Sequence, residues 1–212
     1  ALGATQFSPK FFGFLFSKSY NILYIILNMA LTKTPICDFG KKAVNFELNS
    51  TDNKLISLNN VKGENGTLVM FICNHCPYVK AVIEEIVKDC KNLESNGIKS
   101  VAICSNDVKN YPEDSFENMI KFFKNHNFSF PYLVDESQEI AKNYGAVCTP
   151  DFFGYNKNLE LQYRGRIREL KDLTPVTTGD SDLYKAMKQI SETGLGPKNQ
   201  IPSMGCNIKW KT

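Results

Sequence analysis

The chain has 212 residues, 42% of them hydrophobic and 22% charged, a balance that suits one soluble globular domain of ordinary size. Its net charge of +3 comes with Lys and Arg scattered rather than clustered, which argues against a nucleic-acid partner. Seven cysteines, far apart except for one pair, do not make the pattern of a secreted disulfide framework, and the odd number leaves at least one thiol without an internal partner.

Residues 1–28 stand apart, with no acidic residue, two lysines (Lys10 and Lys18) and many Phe, Ile, Leu, Asn and Tyr. One reading is a membrane anchor or uncleaved signal across the broadly apolar residues 11–31, although Ser17, Lys18, Ser19 and Asn21 interrupt the run. The preferred reading is translated upstream sequence with Met29 as the start, which places the protein in the cytoplasm. The first reading would anchor it in a membrane or export it, but a membrane partner is not expected. The expected division is a leader over 1–32 (disordered, non-native or a weak membrane or signal segment), the main domain over 33–194 and a tail over 195–212. Without the leader the net charge is +1.

From Val44 onward, short apolar runs alternate with helical patterns, as in an α/β fold. Residues 44–48 and 55–58 predict two strands around the polar turn 50–53, an N-terminal β-hairpin. Residues 67–72 are almost continuously apolar, as expected of a central strand covered on both faces. Pro77 then opens a helix with Val79, Val82, Ile83, Ile86, Val87, Cys90 and Leu93 at a 3.6 period, ended by Gly97. A buried strand over 100–105 follows, then a helix from Pro112 and a short strand at 132–134. Asp135 can cap the next helix, which runs to Tyr144 before Gly145. Residues 151–155 and 159–163 flank Asn156-Lys157-Asn158, a hairpin signal with Asn suited to the left-handed conformation. Asp180 or Ser181 caps a last helix ended by Gly194, and the tail from Gly196, rich in Gly, Pro and Asn, predicts irregular structure.

The chemistry concentrates at Cys73-Asn74-His75-Cys76, between the central strand and its crossover helix. Two thiols at this spacing can close a small disulfide ring, and a helix N-terminus lowers the pKa of the nearer thiol. Cys73, ahead of the helix, is expected to be exposed and nucleophilic, with Cys76 in the first turn as its resolving partner. His75 between them favours a thiolate and a more oxidising pair. The same pair with His75, and with Cys148 or Cys206, could instead bind Cu(I) or Zn. The strand order is of the thioredoxin type, in which the proline matching Pro150 is cis and faces the dithiol. The backbone at Thr149 would then bind a substrate strand. Cys148 beside it and Cys206 in the tail are candidate third redox thiols. Cys90 and Cys104 fit core positions, and Cys37 carries no clear signal.

Four motifs carry a resemblance. They are Phe71-Ile72-Cys73-Asn74-His75-Cys76-Pro77-Tyr78-Val79, the segment 145–153 ending in Thr149-Pro150-Asp151-Phe152-Phe153, Tyr163-Arg164-Gly165-Arg166-Ile167, and the segment 203–210 around Cys206. Together they resemble the thioredoxin-fold peroxiredoxin-like group, redoxins of the alkyl hydroperoxide reductase/thiol-specific antioxidant type, from about Lys33 to the end. The resemblance implies a thioredoxin-like fold with a central mixed sheet flanked by helices. It also implies thiol redox activity, and a Cys206 motif that belongs to the domain. A peroxiredoxin has a Thr three residues before its peroxidatic cysteine and an Arg near the later strand. With Cys76 on the peroxidatic position, Cys73 replaces that Thr and Pro150 falls near the Arg. The preferred expectation is therefore a thiol–disulfide oxidoreductase with no cofactor beyond its own disulfide. It would act on protein or small-molecule disulfides and be reset by an external thiol reductant. A thiol peroxidase and a non-enzymatic metal-binding domain are the alternatives, and the oligomeric state is left open.

Overall fold

The computed structural model describes residues 31–212; the expectations for residues 1–30 lie outside the described residues. The architecture is a thioredoxin-like α/β fold built on a seven-stranded sheet. Its strands are β2 (Glu47–Ser50), β3 (Leu55–Ser57), β4 (Gly66–Phe71), β5 (Ile98–Cys104), β6 (Tyr132–Val134), β8 (Asp151–Asn156) and β9 (Leu161–Tyr163). Their order is β3-β2-β6-β5-β4-β8-β9, with β4, β5 and β6 parallel and the other pairings antiparallel. The helices are α1 (Pro77–Glu94), α2 (Phe116–Asn125), α3 (Glu139–Tyr144) and α4 (Asp182–Thr193). Among the described residues, no helix is long and apolar enough to cross a membrane.

The sheet takes this form because β4 is apolar on both faces and every one of its residues is buried. Phe71 meets the rings of Tyr144 and Phe153 edge-on, at 5.5 and 5.7 Å between centroids. Each such aromatic pair adds about 0.5–1.5 kcal/mol beyond the burial of its area. Helix α1 lays Val79, Val82, Ile83, Ile86, Cys90 and Leu93 against the sheet, the positions that the 3.6 period marks. Pro77 stands in its first turn, where a missing N–H costs nothing, and Cys76 is its N-cap. The strand-to-helix junction therefore fixes Cys76 at the carboxyl end of the central strand. In α4, the Ser181 side chain accepts from the Tyr184 N–H, and Gly194 ends the helix at φ 76°.

Besides the helix expected from Pro112, which is a 3-10 turn over Pro112–Asp114 with α2 starting only after its N-cap Ser115, three local expectations change. The first hairpin strand runs over Glu47–Ser50, displaced toward the turn, because Asn49 and Ser50 pair with Val134 and Leu133 of β6. In the hairpin between β8 and β9, the left-handed residue is Leu159 at φ 57° rather than an asparagine. Asn156 instead accepts from the N–H groups of Asn158 and Glu160 through its side chain and so shapes the turn. The third correction is the tail, expected to be irregular. Past the short strands β10 (Leu170–Lys171) and β11 (Thr174–Pro175), the tail contains β12 (Met204–Asn207), the middle strand of a small sheet between β1 (Leu31–Lys33) and β7 (Cys148–Thr149).

Nothing in Met204-Gly205-Cys206-Asn207 has the β-branched or aromatic composition that marks a strand. Backbone pairing and close approach form it instead, with Cys206 opposite Leu31 on one side and Thr149 on the other. Gly205 lies so close to β7 that an added Cβ would stand 2.0 Å from the Thr149 carbonyl oxygen. Gly205→Ala is therefore expected to destabilise the protein by about 1–3 kcal/mol, the usual cost of overpacking, through displacement of β12. Urea unfolding measures this, and an unchanged midpoint would mean that the strand does not sit where described.

Candidate active site

Cys73 and Cys76 both lie below the surface, 1% and 0% exposed. The expectation that Cys73 would be the exposed member is corrected, because a loop from further along the chain closes over residues 73–75. That loop is the 3-10 turn Pro112–Asp114, whose fully buried Asp114 carboxylate holds the dithiol segment. It accepts the backbone N–H groups of Asn74 (2.8 Å) and His75 (3.2 Å), the His75 Nδ1 (2.6 Å) and the Asn106 side-chain amide (2.8 Å). Asn74 in turn donates to the Glu113 carbonyl and accepts from the Tyr132 hydroxyl at 3.0 Å each. His75 also stacks on Tyr111, with centroids 5.5 Å apart and planes within 12°. Its ring lies beside Cys73, Nδ1 to Sγ 3.9 Å, but that nitrogen is committed to Asp114.

The Thr149–Pro150 peptide bond is cis, and Thr149 meets both sulfurs. Its hydroxyl lies 3.4 Å from the Cys73 Sγ, and its carbonyl accepts from Cys76 at 3.1 Å while that sulfur is in its thiol form. The remaining neighbour of Cys76 is Cys206, whose Sγ is 3.0 Å away. The structure thus gathers Cys73, Cys76, His75, Thr149, Pro150 and Cys206 in one place. Cys148 is beside them in sequence and buried, with its thiol directed to the Pro150 carbonyl at 3.6 Å.

The sulfurs differ in how their charge is met. Burial pushes the Cys73 thiol well above its ordinary pKa, and its hydrogen bond to Cys76 and the Asp114 charge push it the same way. Burial also acts on Cys76, but hydrogen bonds from Cys206, Cys73 and Thr149 and the Val79 N–H outweigh it and hold that thiol far below its ordinary range. These surroundings favour the thiolate form at Cys76, the residue at the helix start, over Cys73. Cys206, as a donor to Cys76 and a buried group, is raised. Cys148 is raised by burial and by the Asp151 charge. Burial likewise pushes Cys90 and Cys104 up to about 12, as befits core residues.

The expected backbone site for a substrate strand at Thr149 is already filled, since Thr149 pairs with Cys206 of β12. Open space lies instead beside Pro150, where a groove of about 270 Å³ is lined by Lys33, Tyr78, Arg166, Ile167 and Met204 among others. A metal could find donors in Cys73, His75 and Asp114, whose ligand atoms all lie within 4.8 Å of one another. This differs from the set expected from sequence, in which Cys76 took the place of Asp114. A cation there would compete with N–H groups that Asp114 already accepts. Asp114 itself escaped the sequence reading, because an acidic residue after Pro112 looks like an ordinary helix-start residue.

The model of the AhpC/TSA family matches residues 39–170. A solved structure of an uncharacterized conserved protein from Geobacillus kaustophilus is similar at a TM-score of 0.81 and 40% identity, covering 86% of this chain and 97% of that one. The thioredoxin domain of a thiol-disulfide oxidoreductase from Bacteroides vulgatus shares the fold at a TM-score of 0.52 and 14% identity, over 64% of this chain and 91% of that one. Thiol-disulfide oxidoreductase ResA of Bacillus thuringiensis subsp. konkukian is 26% identical over 155 residues, 68% of this chain and 83% of that protein.

The Asp114 charge is one of the causes that raise Cys73. Asp114→Asn is therefore expected to move the midpoint for alkylation of Cys73 to lower pH. Iodoacetamide labelling across pH with peptide mapping reads this, and an unmoved midpoint would show that the charge does not reach the sulfur.

Proposed function

Because the chain belongs to the AhpC/TSA family, we propose that its thiol–disulfide oxidoreductase activity runs through Cys73 and Cys76, with Cys76 as the attacking sulfur. The observation that carries this reading is the setting of Cys76, a buried sulfur at the N-cap of α1 with thiol donors around it. A thiolate is the nucleophile in disulfide exchange, and a helix start next to hydrogen-bond donors is where a protein can keep one.

On this reading the Cys76 thiolate attacks one sulfur of a substrate disulfide, and the other substrate sulfur leaves as a thiolate. Cys73 gives up its proton and attacks the Cys76 sulfur of the mixed disulfide, which releases the second substrate thiolate. The Cys73–Cys76 disulfide forms, and two electrons have passed to the substrate. An external thiol reductant restores the pair by the same exchange, so the disulfide itself is the redox group. The groove beside Pro150 gives a substrate its approach, with Lys33 and Arg166 at its rim. His75 positions rather than carries a proton, because its Nδ1 already serves Asp114.

The assigned roles depart from those expected from sequence, in which Cys73 attacked and Cys76 resolved. Burial of both sulfurs removes the argument from exposure, and the donors around Cys76 supply a different one. Cys76→Ser is expected to bring reduction of insulin disulfides down to the background of the dithiothreitol used to drive it. Turnover that survives this change would sink the proposal. In the wild-type protein, labelling of Cys76 should show no rise around pH 8.5, roughly where an ordinary thiol ionises. A rise there would place the thiolate elsewhere.

A further inference from the structure

We propose that Cys206 is a second resolving thiol for Cys76, so that the cycle can close through either Cys73–Cys76 or Cys76–Cys206. This rests on the reading of Cys76 as the attacking sulfur. The two Sγ atoms are 3.0 Å apart, about 1 Å more than a disulfide bond. Both residues are buried, at 0% and 2% exposure, so no water layer separates the sulfurs.

The backbone that carries Cys206 is held on both sides of it. Upstream, the Ser203 hydroxyl donates to the Pro150 carbonyl at 2.7 Å, and the Ser203 N–H donates to the Thr34 hydroxyl at 3.0 Å. At the residue itself, Cys206 pairs with Leu31 and Thr149 in the small sheet. Downstream, the Lys209 N–H donates to the Asn106 side chain at 2.9 Å, and the Lys209 carbonyl accepts from the Gln138 amide at 2.8 Å. The third sulfur is therefore a fixture of the site and not a passing contact of a loose tail. Asn106 also donates to Asp114, so the loop that holds Cys73 and the strand that holds Cys206 share one anchor.

The step balances without any further reagent. After Cys76 has taken one substrate sulfur into a mixed disulfide, its negative charge is gone, and with it the main cause that keeps Cys206 protonated. Cys206 loses its proton and attacks the Cys76 sulfur. The Cys76–substrate bond breaks, the substrate thiolate leaves with that proton, and the Cys76–Cys206 bond forms. Cys73 stays a free thiol throughout.

A purely structural Cys206, which only donates a hydrogen bond to Cys76, makes a different prediction, since serine can also donate. The full chain and its variants Cys73→Ser, Cys206→Ser and the double variant would be equilibrated in graded ratios of oxidised to reduced dithiothreitol. Acid quenching, alkylation and peptide mapping then identify the linkages, and insulin reduction measures turnover. The proposal expects both linkages in the wild-type protein. It expects Cys76–Cys206 in Cys73→Ser with turnover above the reductant's background, and loss of both linkage and turnover in the double variant. Cys73–Cys76 as the only wild-type linkage, with none in Cys73→Ser at any ratio, would overturn it while leaving the role of Cys76 intact. A Cys76–Cys206 linkage in a wild-type protein that reduces no disulfide would overturn the attacking role of Cys76 and the resolving role with it. The wild-type map needs no variant to fold.

Discussion

A sulfur anion below the surface has to be met by hydrogen-bond donors, because a buried charge without them is far costlier than a protonated thiol. The surroundings of Cys76 answer that requirement. Donors come from Cys73 in the loop just before the helix and from two distant parts of the chain, the Thr149 side chain of β7 and Cys206 of β12. The start of α1 adds the unsatisfied N–H groups and positive end of an 18-residue helix. The neighbouring thiols are raised as Cys76 is lowered, a contrast set by placement rather than by any single strong base.

A second buried charge supports the first from a distance. Asp114 takes four N–H groups from the loop, His75 and Asn106, which closes the loop over Cys73 and keeps water from the sulfurs. Its negative charge faces Cys73 and disfavours a second anion there. The carboxylate thus closes the loop and also raises the Cys73 thiol. Elsewhere in the domain, Arg164 and Asp151 form a buried ion pair at 3.0 Å with the guanidinium over the Phe153 ring, which ties β8 to β9 behind the site.

Much of the fold was legible because period and punctuation agreed. The apolar run of β4, the 3.6 period of α1 and the stop at Gly97 are local signals that the packing reinforces. The hairpin strand at Glu47–Ser50 slid because its limit is set by pairing with β6, a partner about 85 residues away in sequence. Strand β12 was not legible, since it is held by partners at residues 31 and 149 and has no strand-forming composition of its own. At the site, the dithiol spacing could be read from the chain, the cis proline followed only from the thioredoxin-type strand order, and Cys206 could be nominated. What could not be read was the order of the sulfurs' affinities for protons. That depends on Asp114, forty positions from Asn74, and on a donor at residue 206.

The placement of β12 also has a temporal side. A chain leaves the ribosome from its N-terminal end, at about 5–20 residues per second. Residues 73–76 and 149 emerge well before residue 206, so for a time the central sheet can form while the edge of β7 lacks its neighbour. During that interval Cys76 lacks one of its thiol donors and the Thr149 backbone stands open to any extended segment nearby, including one from another nascent chain. When β12 appears, it closes that edge and brings Cys206 to the sulfur cluster in one act.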